Sequence, residues 1–230
     1  MHHYRDVKLR SIVVSVIALG VLATAPTRAP AGGATEILRP AVDRVVHILA
    51  DPALTGAAHT LERRRALRAV MEDVIDFPDA AQRALGVHWQ GRTDAERDEF
   101  VTLFKELVTY SYIVTMEAYA GQTVVFVGEK VEGEGVTTVQ TKIQSRQGAP
   151  VPIDYRMHQR AEHWLVYDVV VEGVSLVGNY RNQFNSIIRT TSYAELIHRM
   201  RARVAELKGG TGPVAFGHRF LPGALAGGFP

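Results

Sequence analysis

The chain contains no cysteine in its 230 residues. That one absence excludes a disulfide framework, thiolate zinc sites, iron–sulfur clusters and a cysteine nucleophile. There is also no excess of one charge, since 26 Lys and Arg stand against 24 Asp and Glu. This balance speaks against a polybasic nucleic-acid binder, and 47% apolar side chains speak against a disordered chain. Nor is any apolar run long enough to span a bilayer. The longest, Ile12 to Ala23, would make a helix of about 18 Å against a hydrocarbon core of ~30 Å.

That run has a meaning of its own. It follows Arg5, Lys8 and Arg10 and precedes a stretch of small residues and prolines, Ala23 to Ala34. A basic segment, a short apolar segment and Ala-x-Ala sites describe a secretory signal peptide. Cleavage is expected after Ala31 rather than Ala25, because Pro26 directly follows the latter. Removing residues 1–31 leaves one more acidic than basic residue, so the exported part has no basic surface to speak of.

Residues 208–230 hold seven of the twenty glycines and three of the ten prolines without helical or strand periodicity, which predicts a flexible tail. Between them, residues 35–207 show no linker and no repeat, and one domain is expected there. Its first part is helical: Leu38, Val42, Val45, Val46 and Leu49 recur at helical spacing, as do Leu67, Val70, Met71 and Val74. Pro78 and Gly86 bracket a short helix. Thr93 with Glu96 forms a capping box that opens a longer one, with a face of Phe100, Leu103, Phe104 and Leu107 running on through Ser111 and Val114 to Tyr119. Two further helices are expected after residue 176, the second opened by Ser192 and Glu195.

From Gln122 the period changes to two. Thr123–Lys130, Val136–Ser145, Val151–Gln159 and His163–Glu172 read as four strands. Val151, Ile153, Tyr155 and Met157 share one face, with Asp154, Arg156 and His158 on the other. The last strand sets Leu165, Tyr167 and Val169 against Trp164, Val166 and Val170, apolar on both sides. Helices, a mostly antiparallel four-stranded meander and helices again predict an α+β fold: a twisted sheet packed with N- and C-terminal helices around an apolar concavity.

The usual signatures of chemistry are missing. The histidines outside the leader form no metal-ligand spacing, and His158 and His163 are expected as solvated strand-end residues. No glycine-rich phosphate loop occurs. Ser175 fails the nucleophile-elbow pattern because residue 177 is Val, and it reads instead as a helix cap. Glu172 lies beside it at the strand-to-helix junction, where a carboxylate is expected without any catalytic role. Asp154–Tyr155 and Tyr167–Asp168 suggest a pocket enzyme of the steroid-isomerase type. Alternation along a strand, however, turns each Asp away from its neighbouring Tyr.

The segment Tyr167-Asp-Val-Val-Val-Glu-Gly-Val-Ser-Leu-Val, followed by Asn179-Tyr-Arg-Asn-Gln-Phe and Ile187-Ile-Arg-Thr, resembles the C-terminal signature of the MlaC family. These are periplasmic phospholipid-binding proteins, also called toluene-tolerance proteins. Ala84-Leu-Gly-Val-His-Trp and Thr93-Asp-Ala-Glu-Arg-Asp-Glu-Phe-Val-Thr-Leu-Phe resemble the family's small helix and the amphipathic helix after it. The resemblance covers residues 35–207; the tail has no counterpart. It implies a monomeric, non-enzymatic carrier without cofactor or nucleic-acid partner. Such a carrier moves phospholipid between an outer-membrane lipoprotein/porin complex and an inner-membrane ABC transporter with its lipid-binding MCE subunit, maintaining outer-membrane lipid asymmetry. A hopanoid-associated branch of the family leaves another lipid as the alternative cargo.

The resemblance also implies acyl tails between sheet and helices. On the sheet, Val139, Ile143, Ile153, Tyr155 and Met157 are the candidates, together with Leu165, Tyr167 and Val169. Facing helix residues would be Phe104, Val108, Tyr112, Phe184 and Ile188. A large ligand-free cavity is expected among them.

Overall fold

A computed structural model describes residues 33–118, 121–144 and 148–209. The expected leader over 1–31, Tyr119, Ser145 and the tail from 210 lie outside the described residues. Four helices come first: α1 (Ala34–Ala50), α2 (Thr60–Val74), α3 (Phe77–Leu85) and α4 (Asp94–Met116). Then follow β1 (Thr123–Gly133), β2 (Val136–Gln144), β3 (Val151–Arg160), β4 (His163–Val171) and β5 (Val174–Ser175). Two helices, α5 (Leu176–Thr190) and α6 (Tyr193–Lys208), close the domain.

The helix boundaries follow from local hydrogen bonding. Thr93 and Glu96 form the reciprocal capping box at α4. At α6 only half of the expected box forms: Ser192 Oγ accepts from the Glu195 N–H, while the Glu195 carboxylate turns to Arg199 at 2.6 Å. Asp76 caps α3 with Pro78 in its first turn, and Ser175 caps α5. Glu117, just past α4, accepts from both Arg63 and Arg64 of α2 at 2.8–3.2 Å. Although burial alone would raise the Glu117 carboxyl, the bonds from the two guanidiniums hold it below the ordinary range. These bonds clamp α2 to α4.

The strands form one antiparallel meander in the order β1-β2-β3-β4-β5. The fifth strand, not expected from sequence, arises because Glu172 and Gly173 take positive φ of 50° and 82° and return the chain in a tight hairpin. Glu172 is therefore an exposed turn residue. One sheet face is covered by α1: Val139, Met157 and Val166 pack with Ala34 and Leu38. A second cluster, Leu67, Met71, Phe77 and Ile113, joins α2, α3 and α4. The third lies among α3, α4, α5 and α6, around Phe100, Phe104, Tyr180 and Phe184. Their rings meet edge to face at 5.5–6.3 Å between centroids. Each such ring contributes roughly 1.5–3 kcal/mol by burial.

One irregularity changes the expected faces. Arg156 pairs with Asp168, but Met157 pairs with Val166, so Tyr167 is an extra residue in β4. Such a bulge shifts the alternation by one. Val166 and Val169 stay on the α1 face with Met157 and Tyr155, whereas Leu165 pairs with His158 on the opposite face. Tyr167 joins that opposite face, its ring 5.3 Å from the His158 ring. The expected stripe Leu165–Tyr167–Val169 is thus broken, and Tyr167 and Asp168 do not oppose one another.

Candidate functional site

The seam between β4 and the helices holds a small cavity. Ile75, Phe77 and Ala80 wall one side, Phe104 and Val108 the back, and Leu176, Val177 and Tyr180 the other side. Val166, Tyr167, Asp168 and Val169 complete it from β4. The cavity measures about 40 Å³, and the whole cleft with its solvent-open part about 380 Å³. A water needs some 10–15 Å³ on the same measure, so the enclosed space takes a few waters and no acyl chain. The large cavity expected from sequence is not open in this structure. Its lining is nonetheless almost wholly apolar.

Four of the thirteen expected pocket residues meet here: Phe104, Val108, Tyr167 and Val169. Tyr112 lies in both helical clusters around the site. Val139 and Met157 are fully buried beneath α1, with Tyr155 packed against them, away from the seam. Ile153 is buried opposite Thr141 and Val171, and Ile143 is half-buried opposite Val151. Phe184 and Ile188 belong to the helical cluster. Leu165, opposite His158, is not among the residues that line the cavity.

Ile75, Phe77, Ala80, Leu176 and Val177 escaped the sequence reading as pocket residues. Ile75 lies between two helices and Phe77 is the first residue of α3, so neither falls on a periodic stripe; Ile75 makes an isolated parallel bridge with Val166. Two apolar residues flanking Asp76 just before Pro78 were the one available signal.

Two buried aspartates flank the cavity. Asp76 Oδ1 accepts from the Asp79 N–H at 3.0 Å, while its Oδ2 takes His158 Nε2 at 2.9 Å and Arg160 Nε at 2.8 Å. His158 is therefore a hydrogen-bonded, largely buried residue and not the solvated strand end expected from sequence. On the far side, Asp168 Oδ1 accepts from the Val177 N–H at 3.0 Å. Its Oδ2 accepts from Ser175 Oγ at 2.6 Å and Arg156 at 3.1 Å. Each aspartate thus ties one helix N-terminus to the sheet, and each is held by an arginine of β3.

An acid and tyrosines do converge on the cavity, in Asp168, Tyr167 and Tyr180. Both Asp168 oxygens are already committed to a helix N-terminus, a hydroxyl and a guanidinium, which leaves a structural cap rather than a poised base. The phenols are equally inert. Burial, with Tyr180 and Asp168 nearby, holds the Tyr112 hydroxyl far above its ordinary range. Burial pushes both Tyr180 and Tyr155 up to about 12. All three stay neutral at ordinary pH, as an apolar wall requires. Among the described residues no cluster of His, Asp or Glu is arranged to hold a metal ion.

Comparison with known proteins gives this seam a context. The curated intermembrane phospholipid transport system binding protein MlaC of Haemophilus influenzae is 23% identical over 136 residues, 57% of this chain and 64% of that protein. The match therefore spans a little under two thirds of that relative's length. The phospholipid-binding protein of Ralstonia solanacearum, solved in complex with a phospholipid at 1.53 Å, superposes with a TM-score of 0.67 and 25% identity. That similarity covers 77% of this chain and 99% of the other. The profile of the MlaC protein family matches residues 39–202. With most of its length inside that profile and the fold in agreement, the chain belongs to the MlaC family.

Proposed function

We propose that this protein is a periplasmic phospholipid carrier whose acyl tails lodge at the seam between β4 and helices α3, α4 and α5. The observation that carries this reading is the neutral, apolar cavity at that seam, in a fold shared with a protein solved with phospholipid in place. No catalytic residue is required, in keeping with an Asp168 engaged as a helix cap. The carrier exchanges lipid between an outer-membrane lipoprotein/porin complex and an inner-membrane ABC transporter with an MCE subunit. Physics favours hand-over at such docks. Two tails of ~15 methylenes, at about 0.8 kcal/mol each, would cost on the order of 24 kcal/mol to leave in water. That exceeds the roughly 18–21 kcal/mol at which non-covalent affinity saturates.

A diacyl lipid does not fit a cavity of about 40 Å³, so the walls must part for loading. The same small volume favours a second reading, an adaptor with a solid core. Solvent extraction and mass spectrometry of the natively purified protein separate the two. A carrier yields about one lipid per chain; an adaptor yields none. Val169→Asp, on the cavity wall, is expected to abolish lipid recovery, whereas Leu165→Glu on the opposite face is expected to retain it. Extraction of a hopanoid in place of phospholipid would reassign the cargo within the same pocket.

A further inference from the structure

The cavity walls are not held together in the same way all round. Toward α1 the sheet is closed by apolar packing of Leu38, Val139, Met157 and Val166. Parting these would expose apolar surface to water, at roughly 25 cal/mol per Å². Toward α5 the wall is continuous with β4 through the β5 hairpin, and Asp168 bonds only to residues near it in sequence or on β3. The corner between α2 and α3 differs from both. Ile75 and Phe77 meet β4 where the void lies. Besides the packing of Val74 and Ile75 against the cluster beneath α1, a polar tie joins the corner to the sheet: the Asp76 N–H to the Val166 carbonyl at 2.9 Å, and the Asp76 carboxylate to His158 and Arg160, with Asp79 3.8–3.9 Å from the same two side chains.

Water can replace polar links at small net cost, since hydration takes over each donor and acceptor. Arg160 is already 55% exposed and His158 13%. On the cavity side an opening also separates fewer apolar atoms, because the void has already removed part of those contacts. We propose that lipid enters by displacement of the α2–α3 corner from β4, and that Asp76, with His158 and Arg160, is the latch that sets how readily the corner moves. This rests on the phospholipid reading above and makes Asp76 a positioning residue, acting through Ile75 and Phe77.

The absence of cysteine makes a direct test possible. Ile75 and Val166 are bridge partners, a separation of strand-to-strand order and within disulfide reach. The full chain carrying I75C and V166C is stripped of lipid and mixed with phosphatidylcholine vesicles containing a fluorescent phosphatidylethanolamine. Lipid uptake is expected to fall to background when the pair is oxidised and to return on reduction. V171C with V174C, across the β4–β5 hairpin, should load equally in both redox states. Asp76→Asn keeps a capping side chain for α3 but drops the charge that holds His158 and Arg160. It should speed uptake about tenfold, and a purely structural role predicts a lower Tm with uptake unchanged. Equal loading of the oxidised and reduced I75C/V166C protein, or an unaltered rate in Asp76→Asn, overturns the latch. Failure of the wild-type chain to take up any lipid overturns the phospholipid reading itself, and the latch with it.

Discussion

Met157 and Val169 lie on the same face of neighbouring strands, yet they meet different surroundings. Met157 is fully enclosed beneath α1, while Val169, beyond the Tyr167 bulge, is only partly buried against that cluster and also borders the void toward α3, α4 and α5. Close packing closes the first region with dispersion contacts that would be lost on opening. The second is closed by two aspartates that hold helix N-termini by hydrogen bonds. One chain thus combines an interior that resists change with a seam that can exchange protein contacts for lipid contacts.

The sharpest way to break that contrast is in the helical cluster. Phe184→Ala, at a fully buried ring, should destabilise the protein by about 3–5 kcal/mol in urea titrations. Little loss there would mean that the cluster is not the rigid platform against which the seam moves. Next comes Asp168→Ala, which leaves Val177 N–H, Ser175 and Arg156 without their acceptor. It should cost about 3 kcal/mol, read as a lower denaturation midpoint.

A smaller effect tests the polar clamp on the packed side. The folded Glu117 carboxyl titrates below its ordinary value, so its contribution is fully present above the unfolded pKa of roughly 4.3 and fades as pH falls through the lower folded value. Glu117→Gln should therefore lose about 1 kcal/mol at neutral pH after solvent screening. The gap to the wild type should close in acid, as followed by thermal melts at a series of pH values. The smallest effect is expected at the seam. Val169→Ala should cost about 1 kcal/mol, against roughly 2–5 kcal/mol for Met157→Ala, because part of its contact shell is already missing. Equal losses at the two sites would erase the distinction between them.

Much of the fold was legible in the sequence because it is written in local chemistry. The Thr93–Glu96 box, the Pro78 and Gly86 brackets of α3 and the Ser175 cap all stand where spacing predicts them. The α+β order and the β1–β4 meander follow from the change in period near Gln122. The pocket was legible only in part. Phe104, Val108, Tyr167 and Val169 line the cavity, but the bulge at Tyr167 shifted a face that strict alternation could not show. The Ile75–Phe77 wall spans a junction and the first residue of α3, where no period is established, and the Asp76–His158 pair joins residues 82 positions apart. Long-range polar pairing leaves no periodic trace in a single sequence. Nor does periodicity distinguish a filled apolar interior from one that can open.

The difference between the two regions can be measured directly as a change of distance. Paired spin labels placed at Gln82 on α3 and Glu162 in the β3–β4 turn report on the seam, and labels at Asp43 on α1 and Glu162 report on the packed side; all three residues are exposed. Loading with phospholipid should lengthen the Gln82–Glu162 distance and leave the Asp43–Glu162 distance unchanged. Stoichiometric lipid binding with both distances unaltered, or with α1 moving instead of α3, would contradict it.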